Sequence, residues 1–201
     1  MSMFSRTKTT PATDFEQATQ AVQDISGDYT LDVSHSRLGF SARHAMVTTV
    51  RGQFQDYTGV AHVDAQNPAS SKVELTIQAA SIDTGNADRN GHLVSPDFFD
   101  VENYPEIKFE STSIEQVDDE NFRIIGDLTI HGVTNEIELD AELGGVELGM
   151  QDEHRTGLEI TGQLSRKDYR MKFNAALGSG NAVVADKVKL ALDVEAIRQD
   201  A

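Results

Sequence analysis

The sequence predicts an all-β protein, an antiparallel sheet that closes on itself into a barrel. Three observations carry this expectation. After Asp28 the apolar residues alternate with polar ones in run after run, a period of two that places one face in an interior and the other in water. Short polar turn sequences separate successive runs, as in a meander of hairpins. Helical signals are confined to the N-terminal extension and one long connection, so little else could cover sheet edges, and closure removes them.

In chain order, an N-terminal extension (residues 1–27) precedes a barrel domain over 28–198. Asp14 can cap a helix, with Gln17 three residues on, and Phe15, Ala18, Val22 and Ile25 recur at helical spacing before Gly27. A short amphipathic helix over 15–24 is expected, lying against the barrel or covering an opening. Strand runs follow at 29–33, 38–44 and 52–63. Val73, Leu75, Ile77 and Ala79 then alternate with Glu74, Thr76 and Gln78, and another strand spans 107–117. Phe122, Ile124, Leu128 and Ile130 mark the next, followed by Ile137, Leu139, Ala141 and Leu143 between acidic residues. Leu158, Ile160 and Leu164, then Val188, Leu190, Leu192 and Val194, complete about eight or nine strands. Turns are expected at 118–121, 132–135 and 178–181.

One connection, 82–106, is too long for a hairpin. It carries Leu93, Phe98, Phe99 and Tyr104, and Ser95-Pro96 reads as a helix start with Ser as cap and Pro at the first position. Loops of this length usually carry function or structure of their own. It reads as a lid over a barrel mouth, or else as a plug closing the core. Asp83, Asp88 and Asp97 with Arg89 are expected to form an ion network that fixes it.

The bulk numbers exclude several classes. A chain of 201 residues fits one domain. A net charge of −16, from 33 acidic and 17 basic residues, repels phosphate backbones, so no nucleic-acid partner is expected. With no cysteine, disulfides, thiolate nucleophiles and thiolate metal sites are absent, which fits a reducing compartment. No leader-like apolar run opens the chain, and no stretch approaches the ~18 apolar residues of a membrane span. A cytoplasmic protein without an integral membrane segment is the expectation; a free strand edge would allow a homodimer.

Several separate motifs then resemble one family. Asp32-Val33-Ser34-His35-Ser36, Phe40 and His44 are similar to the opening signature of the YceI-like, lipid-binding proteins, and Arg51-Gly52-Gln53-Phe54 with Gly59 continues it. The connection matches through Ser81-Ile82-Asp83-Thr84-Gly85-Asn86, Arg89, His92-Leu93 and Asp97-Phe98-Phe99-Asp100-Val101. Tyr104-Pro105 and Ile107-Lys108-Phe109 extend that match, and Gly126 to Thr134 adds a further one. The resemblance runs from about Asp28 to Ile197. It implies an eight-stranded antiparallel lipocalin-like β-barrel with a long helical loop insertion and an elongated apolar cavity. The implied ligands are polyisoprenoid lipids, isoprenoid quinones or fatty-acid-derived lipids. One departure stands out: after Ser165-Arg166-Lys167-Asp168-Tyr169 the family usually places glycine, where this chain has Arg170.

The residues support a cavity on their own terms. There is no Trp among the 9 Phe and 4 Tyr, and inward positions at Ala42, Ala79, Gly126 and Gly162 are small, which leans towards an unfilled lumen. The candidate ligand-binding residues are Phe40, His44, Phe54, Leu75, Ile77, Phe98, Phe99, Phe109, Leu128, Ile130, Leu164 and Leu190; ordinary core is the competing reading. Of the six histidines, His35 and His44 match family positions and are the candidates for hydrogen-bonding a head group, although a satisfied polar network holding the N-terminal strands is the preferred reading of both. His92 is expected to anchor the long loop and His131 to support its turn, with His62 and His154 facing solvent. No catalytic residue, metal site or cofactor is expected beyond a bound lipid, since no paired-ligand spacing, phosphate loop or nucleophile elbow occurs. A barrel enzyme with a His–carboxylate pair, and a filled barrel serving as an interaction module, are the competing functions.

Overall fold

The computed structural model describes residues 25–45, 47–150, 153–175 and 183–199. The helix expected over 15–24 and the turn at 178–181 lie outside the described residues. The rest is a closed eight-stranded antiparallel barrel with one α-helix among the described residues.

Eleven strand segments make eight staves, because three staves are interrupted. β1 (Gly27–Leu31) and β2 (Arg37–His44) run along the same edge of β11 (Val184–Gln199), pairing Leu31 with Ala196 and Arg37 with Asp193. Between them Asp32 takes the Ser34 amide and hydroxyl on its own carboxylate, and that local turn breaks the strand. β3 (Thr48–Phe54) pairs with β2, and its continuation β4 (Tyr57–Val63) pairs with β1. β5 (Lys72–Gln78) lies on β4, and its continuation β6 (Ile82–Asp83) lies on β3. β7 (Glu106–Gln116), β8 (Asn121–Ile130), β9 (Val133–Leu148) and β10 (His154–Ser165) follow as simple hairpins. β10 pairs with β11 over its whole length, and β11 with β1 closes the barrel, from Asp28 opposite Gln199 to Leu31 opposite Ala196.

The hairpin turns follow from their residues. Asp118 accepts from the amides of Glu120 and Asn121, which fixes the β7–β8 turn where it was expected. His131 (φ 51°) and Gly132 (φ 68°) form the two-residue left-handed turn between Ile130 and Val133. Glycine is needed there twice over, since a Cβ would also stand 2.4 Å from the Tyr104 ring. His131 supports the turn by packing edge-on against Tyr104 at 4.7 Å.

The long connection is helical, but not where Ser95-Pro96 suggested. Helix α1 spans Ala87–Val94, with Asn86 as the N-cap accepting from the Arg89 amide, and Ser95 caps its C-terminal end. Pro96 disfavours helical geometry at the residue before it, so it stops this helix instead of starting another. The expected ion network is also replaced. Arg89 donates to Thr84 Oγ1 and Thr84 O, both at 2.8 Å, and Asp83 accepts from the Gly85 amide and Asn90 Nδ2. Asp97 pairs with His92 Nε2 at 2.9 Å. Neutral partners lie closer in the loop than the carboxylates do, so Arg89 has no ion pair among the described residues.

The two barrel ends differ. At one, Ile25 and the start of β1 stand beside the 64–71 and 117–120 connections and the ends of β9 and β10. At the other, the α1 connection and residues 166–171 bring Leu93, Phe98, Phe99, Arg166 and Met171 to the cavity.

Candidate ligand-binding site

Strand alternation decides the site. On each stave the apolar set points inward, and the inward faces together enclose a cavity of about 360 Å³, inside the range of ~300–1,000 Å³ usual for small-molecule sites. Phe40, Phe54, Leu75 and Ile77 stand on its wall from the first three staves. Phe109, Leu128 and Ile130 contribute from β7 and β8, and Leu164 and Leu190 from β10 and β11. Phe98 and Phe99 reach it from the connection after α1. The wall runs from Ile25 and Ala65 at the entry end to Phe98 and Met171 at the covered end.

Two head-group candidates do not belong to this wall. His44 shares the inward parity of Phe40 and Ala42, yet it is the last residue of β2 and is exposed, next to a register shift in the pairing with β11. His35 sits in the bend between β1 and β2 with its side chain 60% exposed. Ring position, not ring chemistry, removes both from the lumen. Two of the small inward residues are filled from the side as well: a Cβ on Gly126 would stand 2.5 Å from the Phe109 ring, and one on Gly162 2.5 Å from Leu139. Ala42 does line the cavity.

The covered end is sealed by aromatic packing. Phe40 and Phe54 lie 5.7 Å apart, and Phe99 meets Phe54 edge-on at 5.9 Å. Phe98 packs on Phe173 at 5.3 Å, with the His92 ring against both. His92 anchors the loop, as its position suggested.

Behind this seal lies a buried arginine that sequence patterns did not single out for a role. Arg166 is 3% exposed and lies on the cavity wall. Its guanidinium donates to the carbonyls of Met171, Phe173, Val184 and Ala185, so it ties the 171–173 segment to the start of β11. Burial lowers its pKa, with Asp186 acting in the opposite direction. Tyr169, 1% exposed, has its hydroxyl pushed up to about 12 by burial and stays protonated. Arg170, where the family usually has glycine, adopts φ 61° and ψ 5°, the left-handed conformation that glycine takes without strain.

On the outer face, Asp32, His35 and Glu195 bring their ligand atoms within 4.8 Å of one another. This cluster is built around an arginine: Arg155 binds Asp32 at 2.8 Å, Glu153 at 2.9 Å, and Glu195. Hydrogen bonds from Ser34, His35 and Arg155 hold the Asp32 carboxyl well below the usual range, and Asp32 in turn raises His35. The arrangement pins the β1–β2 bend to β10 and β11.

Other wall residues were legible by parity but not singled out, among them Leu38, Ile107, Ile114 and Thr156. Leu38, Ile107 and Thr156 each sit two residues from a named inward neighbour, whereas Ile114 lies five from Phe109 because the strand shifts register between Ser111 and Ser113.

Comparison with known proteins agrees with this architecture. The YceI-like domain family matches residues 29–196. A UPF0312 protein of Photorhabdus laumondii is 36% identical over 177 residues, covering 87% of this chain and 88% of its own. The crystal structure of the Campylobacter jejuni YCEI protein superposes with a TM-score of 0.67 at 32% identity, covering 79% of this chain and 90% of that one. A polyisoprenoid binding domain from Saccharophagus degradans, implicated in plant cell wall breakdown, superposes with a TM-score of 0.64 at 17% identity, a likeness of fold, over 85% and 98% of the two chains. No helix among the described residues is long and apolar enough to cross a membrane. With its motifs, its closed barrel and its relatives in agreement, the chain belongs to the YceI-like family.

Proposed function

We propose that this barrel binds a long apolar ligand in its lumen and sequesters or carries it without chemical change. A polyisoprenoid, an isoprenoid quinone or a fatty-acid-derived lipid fits this reading. The observation that carries it is the wall, which is aliphatic and aromatic on every stave and continuous from Ile25 to Phe98. Such a lining offers burial as its main driving force, ~0.8 kcal/mol per CH2-sized unit. About ten units offset the several kcal/mol that association costs. The Saccharophagus domain of the same fold, described as polyisoprenoid-binding, supports the reading by analogy.

The test is organic-solvent extraction of the purified protein followed by mass spectrometry of the extract. A stoichiometric lipid with a long apolar chain is the expected result. Recovery of none after expression in several hosts, together with no uptake of added lipid, overturns the proposal.

A further inference from the structure

The two ends of the cavity offer different chemistry, and the difference points to how a ligand lies inside it. At the covered end the one cation on the described wall, Arg166, already spends its guanidinium on four carbonyls. His92 and Asp97 are engaged with each other, and Phe98 and Phe99 close the rest. That end offers a tail its contacts and a polar group few.

The entry end carries three buried hydroxyls on the described wall, of which that of Tyr29 is already donated to the Ile25 carbonyl at 2.9 Å. Thr156 is 6% exposed and stands on the inward face of β10, in phase with Leu158 and Ile160, two residues from the start of the strand. Its Oγ1 has no hydrogen-bond partner; of the buried side-chain polar atoms lacking one among the described residues, it alone belongs to a wall residue. Ser71 is 4% exposed and lines the cavity at the same end of the barrel, immediately before β5. Ser71 Oγ accepts from the Asp64 amide at 2.9 Å, which leaves its proton for another acceptor.

We propose that Thr156, assisted by Ser71, holds the polar end of the ligand at the entry end, and that this polar end is a neutral hydrogen-bonding group such as a hydroxyl or carbonyl. The inference rests on the lipid-binding reading above and adds to it an orientation and a selectivity. A buried hydroxyl left without a partner costs roughly 1–3 kcal/mol, which a ligand oxygen recovers. An anionic head has no cation to meet on the described wall there. Of the acidic residues on the wall at that end, Asp64 accepts from the Gln66 and Asn67 amides and repels a second negative charge. The tail then lies towards Phe98 and Phe99.

The test uses the full chain and three probes of equal length, hexadecanol, palmitate and hexadecane, each displacing a fluorescent apolar dye. Wild type is expected to bind hexadecanol most tightly. Thr156→Val, which keeps the shape and removes the hydroxyl, should cost hexadecanol about five- to tenfold and leave hexadecane unchanged. Thr156→Ser should keep the preference for the alcohol, and thermal unfolding of both variants confirms that the barrel is intact. Equal loss for all three probes, no loss for hexadecanol, or palmitate binding more tightly than hexadecanol overturns the inference while lipid binding itself stands. Displacement of the dye by no probe overturns the lipid-binding reading and this one with it.

Discussion

The Phe109 ring lies across the bare Cα of Gly126 on the neighbouring strand: a Cβ there would stand 2.5 Å from Phe109 Cζ and 2.5 Å from Glu110 O. Phe109 faces Leu128 in register, and Gly126 is the inward position one step further along β8. The absent side chain is what lets the ring lie flat along the wall instead of projecting across the lumen. Gly126→Ala is therefore expected to lower stability by about 1–3 kcal/mol, the usual cost of overpacking. Phe109→Leu in the same chain should recover only part of this, because the contact with the Glu110 carbonyl remains. Urea unfolding of the two variants checks it.

Filling the lumen should separate folding from binding. Leu190 is on the wall and partly buried against the core. Leu190→Trp is expected to reduce co-purified lipid by more than tenfold while costing about 1–3 kcal/mol of stability. Because the chain has no tryptophan, the emission of the new residue reports an apolar lumen directly. Blue-shifted emission with undiminished lipid content would contradict the assignment.

Arg166 should matter for stability out of proportion to its surface. Arg166→Leu leaves four carbonyls without the donors that hold them, at an expected cost of roughly 3 kcal/mol or more. Arg166→Lys is expected to recover only part, since one ammonium cannot reach the span that a planar guanidinium covers. Chemical denaturation midpoints of the three proteins give the comparison.

Arg170 offers the opposite sign. Its left-handed backbone, φ 61°, costs a side-chain-bearing residue about 1–2 kcal/mol. Arg170→Gly is expected to raise stability by about 1 kcal/mol, less than the full strain because glycine also loosens the unfolded chain. For a chain of this size that is roughly 2–4 °C in Tm.

The Asp32 cluster predicts an acid limb. A carboxyl held below its unfolded value contributes stability above that value, near 3.8, and loses it as pH falls through the folded value. His35 is raised, so its contribution is complete below its ordinary 6.5 and is lost as pH rises through the folded value. Asp32→Asn should flatten the acid side of a stability–pH profile and weaken the His35 dependence near neutrality, leaving the smaller part due to Glu195. Unfolding midpoints between about pH 2 and 8 test both, at low salt because the cluster lies on the surface.

The sequence by itself determined the barrel, since a period of two read from Val73, Ile137, Leu158 or Val188 needs no knowledge of partners. It also placed eleven of the twelve candidate ligand-binding residues on the wall, those in strands because inward parity is local information. Parity alone misplaced His44, which has the right spacing but ends its strand exposed, where the pairing with β11 shifts register between Val184 and Val188, an irregularity that only the paired strands reveal. The helix in the long connection went to Asn86 and not to Ser95, a choice made by which side chain reaches a free amide. Arg166 and Thr156 gained their meaning from neighbours distant in sequence, the carbonyls of 184–185 and the wall facing β10. A strand's face is written within the strand, whereas satisfaction of a buried polar atom depends on what closure of the barrel brings beside it.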